Sequence, residues 1–240
     1  MTPASRPIVL PCRVDTHEAL TYLGYRGQAL DDDLQRRFET AAARCEEELT
    51  PAGMFAIFPL DRDCGGARSG EGLLIVRTPN GPLELPGKAI ARHLRGCSEV
   101  ALMAVTLGAR SEMLLRREAA LSATDGMLAD VCASSAAEQA AEALGERLRA
   151  VAEQRGLSVT WRFSPGYGDL PLSVQPAFLR ALGADKALGI SLTPALMLVP
   201  AKTITAIAGL YRPADRPKVA SSSPSPTPNE TEGAEDGARP

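Results

Sequence analysis

The run VALMAVTL at residues 100–107 carries no charged side chain. Its length is that of a strand, and so apolar a strand belongs in the middle of a sheet. Any fold for the chain must be built around it. Helix and strand signals alternate on either side. IVLPCRV (8–14) reads as a short strand, and Asp15 or Thr16 can cap a helix through Leu23, with Gly24 as its stop. Residues 31–49 form an amphipathic helix with Leu34, Phe38, Ala41, Ala42, Cys45 and Leu49 on one stripe. The acids at 31–33 favour its positive end. MFAIFPL (54–60) and LLIVRT (73–78) are β-rich and separated by a Gly-rich turn. A short helix is expected over 88–95, then helices over about 111–121 and 126–155. LSVTWRF (157–163) returns as a strand. A Pro/Gly-rich loop and a helix near 173–182 lead to final strands around 196–199 and 203–210.

The 240 residues are 45% hydrophobic and 23% charged, enough to bury a core without cross-links. The formal charge is only −3, which argues against nucleic acid as the main partner, since a basic surface supplies most phosphate affinity. No apolar run reaches the ~18 residues of a spanning helix. The opening MTPASRPIVLPCRV lacks the apolar stretch of a secretion signal. A cytoplasmic protein with no membrane role is expected. Cys12, Cys45, Cys64, Cys97 and Cys132 are widely spaced without a C-x-x-C, so reduced thiols are expected rather than a metal or disulfide framework. His17 and His93 are the only histidines, too few for a His-based metal triad. From Arg212 the chain is rich in Pro, Ser and acids. Such a segment cannot offset its chain entropy by burial. One folded unit over 1–211 (ordered from about residue 6) and a disordered tail over 212–240 are therefore expected.

The common nucleotide and hydrolase signatures fail. ELPGKA holds Gly87-Lys88 without the rest of a phosphate-binding loop, and VTLGARSE (105–112) lacks further glycines. DTHEAL (15–20) has Leu20 where a D-x-H-x-x-G motif needs glycine, leaving His17 as a polar residue of a first helical turn. There is no G-x-S-x-G elbow.

Two segments remain distinctive. In the helix over 126–155, Ala and Ser dominate, and Glu138 shares a face with Ser134, Ser135 and Glu142. Spacing alone is compatible with an ordinary solvated face. In TWRFSPGYGDLPLSVQ (160–175), Pro165 keeps Ser164 extended, and Gly166 and Gly168 permit φ > 0 or close backbone approach. Such a turn can present N–H groups and the Arg162 guanidinium to a small anionic ligand. It can equally be a tight surface turn with Arg162 in a structural salt bridge.

R-x-S-P-G-Y (162–167), followed by GISLTPALMLVPAKTITAIAGL (189–210), resembles the S-adenosylmethionine-binding activation domain of cobalamin-dependent methionine synthase. ASSAAEQAAEALGERL (133–148) is similar to that family's Ala- and Glu-rich helix, and EALTYLGYRG (18–27) to the opening of stand-alone bacterial relatives. The resemblance is most specific over 125–210. It implies an α/β (α+β) fold: a single domain with a mainly antiparallel mixed sheet covered by helices. It further implies a reactivation subunit, supporting reductive methylation of cob(II)alamin in a separate methionine synthase core. Arg162 would bind the methionine carboxylate of S-adenosylmethionine, and Glu138 its amine or ribose hydroxyls. Backbone groups of Ser164, Gly166 and Tyr167 would line the ligand. Cobalamin would be carried by the partner, with an electron donor such as a flavodoxin or ferredoxin acting there. The cobalt is the nucleophile, so no catalytic residue or metal site is implied in this chain. The family's aromatic-rich segment after its second strand has no counterpart beyond Gly209. That departure favours a rival: a non-catalytic sensor or interaction module that kept the fold and lost ligand binding.

Overall fold

A computed structural model of the chain describes residues 6–61 and 73–215. Its strands are β1 (Ile8–Val9), β2 (Ala52–Asp61), β3 (Leu74–Thr78), β4 (Gly81–Leu85), β5 (Glu99–Thr106), β6 (Ser158–Val159), β7 (Ser191–Leu192), β8 (Leu198–Val199) and β9 (Thr203–Tyr211). The helices are α1 (Thr16–Tyr22), α2 (Asp32–Glu48), α3 (Lys88–His93), α4 (Ala109–Leu121), α5 (Ala123–Glu153), α6 (Gln175–Leu182) and α7 (Ala184–Ala187). The main sheet runs β4-β3-β2-β5-β9-β6, with β1 beside β2, while β7 and β8 form a separate hairpin. Every pairing among the described residues is antiparallel. The expected α/β fold with a mainly antiparallel, helix-covered sheet is what forms.

The apolar run is β5, and its pleat explains its composition. Val100, Leu102 and Ala104 point into a core with Ile90, Leu94, Phe178 and Leu182. Ala101, Met103 and Val105 point the opposite way, toward Ala140, Ala141, Leu144 and Leu148 of α5. Both faces are therefore dry. Each fully buried Leu or Val contributes about 1.5–3 kcal/mol relative to exposure. A third cluster joins α1, α2, α4 and α5 through Ala19, Phe38, Cys45, Leu114 and Leu128. Alanines on α5 let it lie close against its neighbours: Ala133, Ala136, Ala140 and Ala141 are all buried.

Two expectations need correction, and one strand is unexpected. The strand expected over 8–14 is regular only at Ile8–Val9. Pro11 has no N–H to give a ladder, and the chain instead runs to Asp15, whose side chain caps α1 by accepting from Glu18 N at 2.8 Å. GPLEL, at 81–85, to which the sequence reading assigns no element, is an edge strand paired with β3, where Pro82 is tolerated. The strand expected over 157–163 is interrupted. Val159 pairs with Leu210 and Phe163 with Ile207, so residues 160, 161 and 162 stand opposite only 209 and 208. That single extra residue is a bulge, which re-aims side chains. The Gly-rich turn expected after residue 60, Cys64, and the tail beyond residue 215 lie outside the described residues. Pro213–Asp215 form a 3-10 turn.

Candidate functional site

The bulge opens onto a cleft of about 780 Å³ between α5, α1 and the β6–β9 edge of the sheet. Its apolar floor comes from Met103, Leu148, Ile204 and Ala208. Its polar walls are Glu18 and Tyr22 of α1, Glu138, Glu142 and Arg149 of α5, Arg162 of the bulge, and Ser164 and Tyr167 after it.

Arg162 and Glu138 meet in this cleft. Arg162 Nη2 donates to Glu138 Oε2 at 3.0 Å, and Glu142 Oε2 lies 3.9 Å from the same nitrogen. Arg149 Nη2 holds the other oxygen of Glu142 at 2.5 Å. Glu138 is thus half-buried beside a cation rather than on a freely solvated face. Ser135, on the same turn, anchors α1: its Oγ accepts from Asp15 N and donates to Glu18 Oε2, each at 2.9 Å. Ser134 points elsewhere, accepting from Lys202 Nζ at 2.8 Å.

The P-G-Y-G-D turn is built from its own bonds. Gly166 N donates to Leu170 O at 2.8 Å and Tyr167 N to Ser164 O at 3.1 Å. Those two N–H groups are therefore engaged inside the turn. Gly166 and Gly168 adopt φ of 96° and 56°, the conformational freedom their sequence position suggests. Ser164 and Tyr167 border the cleft; Gly166 shapes the turn behind it. The turn is pinned at its far end by Asp169, whose carboxylate accepts from Lys88 N at 2.6 Å and Ala89 N at 2.9 Å. The Gly87-Lys88 helix start is thereby occupied by a side chain of this same chain. His17 is exposed on α1, outside the cleft.

Sequence reasoning overlooked Glu18, Tyr22, Arg149 and Trp161. Glu18 accepts from Tyr22 Oη at 3.0 Å, from Ser135, and from Gln139 Nε2 at 3.3 Å. Burial, then the neighbouring Glu18 charge, push the Tyr22 phenol above its ordinary range, so it stays a proton donor. Glu18 lies within the motif-like DTHEAL stretch, where attention falls on the histidine. Trp161 adjoins Arg162, and the chain's one tryptophan beside a candidate ligand arginine was the available signal.

Among the described residues no group of three His, Cys, Asp or Glu could hold a metal ion. No helix among them is long and apolar enough to cross a membrane. No protein-family model and no curated protein matches the chain. A solved structure described as the MetH reactivation domain bound to AdoHcy is similar, with a TM-score of 0.62 at 17% identity. The match covers 85% of this chain and 77% of that one. The chain shares the fold of that domain.

Proposed function

We propose that the chain binds S-adenosylmethionine in this cleft and presents its methyl group during reductive reactivation of a separate cobalamin-dependent methionine synthase. The observation that carries the reading is the convergence of Glu138 and Arg162, 24 residues apart, on one cleft. It occurs in a fold shared with a reactivation domain solved with AdoHcy, the demethylated form of the same ligand. A volume of about 780 Å³ suits a ligand of that size.

Arg162 takes the ligand's carboxylate through its planar fork. Glu138 accepts from the amine or the ribose hydroxyls, and Ser164 and Tyr167 line the ligand, with Gly166 shaping the turn behind them. Ligand entry requires the Arg162–Glu138 pair to open or to be shared. The residues of this chain hold and orient; none attacks the methyl carbon. The methyl acceptor would be the cobalt of the partner's cobalamin, once a one-electron donor such as flavodoxin or ferredoxin had taken cob(II)alamin to the nucleophilic cob(I)alamin. When the methyl leaves, the C–S bonding pair stays on sulfur as a neutral thioether. The face bearing Tyr167 and Trp161, each more than half exposed, docks toward the corrin. Competition with the partner's catalytic modules calls for a small interface, near the lower end of ~1,200–2,000 Å². A cytoplasmic setting accords with the free thiols of Cys12, Cys45 and Cys132.

One observation favours the rival, a non-catalytic interaction module. The cleft's carboxylates already have cationic or hydroxyl partners, and no buried side-chain N or O among the described residues lacks a hydrogen bond. Reconstitution separates the two. Purified chain is mixed with a methionine synthase core from the same cell, cob(II)alamin, a reductant and S-adenosylmethionine. Methylcobalamin forming only with all components present supports reactivation. Equal formation without the chain leaves the interaction module.

A further inference from the structure

Trp161 is the only tryptophan of the chain, and it is 55% exposed while lining the cleft. Its ring is braced from behind. The centroid lies 4.1 Å from that of His93 at an interplanar angle of 59°, and 5.5 Å from that of Phe163. His93 is itself buried, with Nε2 2.9 Å from Thr160 Oγ1, and that oxygen also accepts from Gly209 N at 2.9 Å. The residue preceding Trp161 is thus tied to β9, and the indole is a fixed wall.

The wall borders an anionic space. Glu18, Glu138 and Glu142 supply three carboxylates, against two guanidiniums from Arg149 and Arg162. Two more aromatic rings, Tyr22 and Tyr167, border the same space. Aromatic faces attract cations through their quadrupole, and an excess of carboxylates raises the local concentration of positive charge. Together they select for a ligand that carries a cation at its centre.

Building on the S-adenosylmethionine reading, we propose that Trp161 is a specificity residue: it makes the cleft prefer the sulfonium methyl donor over the uncharged thioether left after methyl transfer. The two ligands differ by one methyl and one positive charge, so shape alone discriminates weakly between them. A charge-reading wall lets spent ligand leave and fresh donor enter.

Because Trp161 is the sole tryptophan, its fluorescence reports ligand arrival directly. The intact chain, Trp161→Leu and Trp161→Phe are titrated calorimetrically with S-adenosylmethionine and with S-adenosylhomocysteine, with wild-type fluorescence followed in parallel. The expected result is tighter wild-type binding of the sulfonium and saturable change in Trp161 emission. Trp161→Leu should reduce that preference roughly fivefold by weakening the sulfonium alone, while Trp161→Phe keeps part of it. Equal weakening of both ligands, or no weakening, overturns the specificity role and leaves the binding reading standing. A folded wild-type chain that binds neither ligand overturns both.

Discussion

Arg162 Nη2 donates to Glu138 Oε2 at 3.0 Å, joining the bulge after β6 to the middle of α5 across the mouth of the cleft. Their side chains are 28% and 39% exposed, so the pair contributes little to stability, about 0–1 kcal/mol. Two solvent-reachable charges that contribute little to the fold are available to a ligand.

Replacing Arg162 should therefore affect binding far more than folding. Arg162→Ala should melt close to wild type by circular dichroism. It should cost on the order of 2–5 kcal/mol in S-adenosylmethionine affinity, because the ligand carboxylate loses its partner. Arg162→Lys keeps the charge without the fork and should fall between. A large loss of melting temperature with unchanged affinity would place Arg162 in the scaffold instead.

Asp169 fixes the turn from the other side. The N–H of Ala89, with that of Lys88, holds its carboxyl below the usual carboxylate range. A depressed folded value means the stabilisation is present above about pH 4, the ordinary value, and is lost as pH falls through the folded one. Asp169→Asn should thus flatten the acid side of the stability–pH curve. Gly87, at φ 133°, faces the same carboxylate, and a Cβ there would sit 2.5 Å from Asp169 Oδ1. Gly87→Ala should destabilise by ~1–3 kcal/mol in urea unfolding, through strain and loss of this cap.

Glu118 is buried with a side chain 4% exposed, and its carboxylate is held by Arg44 at 2.6 Å and Arg117 at 3.0 Å. Arg44→Ala should cost ~1–3 kcal/mol, since one charged donor is lost and Arg117 remains. Glu118→Leu, which removes the charge and keeps apolar bulk, should cost less than Arg44→Ala. The reverse order in denaturant titrations would show that the ionic cluster itself contributes the stability.

The thiols gathered between α1, α2 and α5 should be inert. Burial first, then Glu46, pushes the Cys12 thiol up to about 11 and the Cys132 thiol up to about 12. Burial raises Cys45 further. At pH 8 these groups are protonated and poor nucleophiles. Iodoacetamide followed by peptide mapping should find Cys12, Cys45 and Cys132 unlabelled in native protein and labelled after unfolding.

The central strand was legible because β5 is apolar on both faces from Val100 to Val105, and α5 because its alanines favour helix. β4 was not, because Pro82 and Gly81 carry the same local signature whether they end a strand or start an edge one. The bulge at 160–162 was also hidden, since it depends on which β9 residues Val159 and Phe163 find, a matter of tertiary register. The cleft was half legible. Glu138 and Arg162 stood out through a family resemblance, and the structure brings them together. Glu18 did not, because its partners Ser135 and Gln139 on α5 lie more than 100 residues along the chain, and Tyr22 did not, because its hydroxyl bonds Glu18.

The central claim is that the cleft holds S-adenosylmethionine, and calorimetric titration of the intact chain tests it most directly. Saturable binding at one site per chain is predicted, strongly weakened by Arg162→Ala and by Glu138→Ala in proteins that remain folded. Absence of a binding heat across several temperatures, in a chain whose circular dichroism is native, would contradict it and leave the interaction module as the better description.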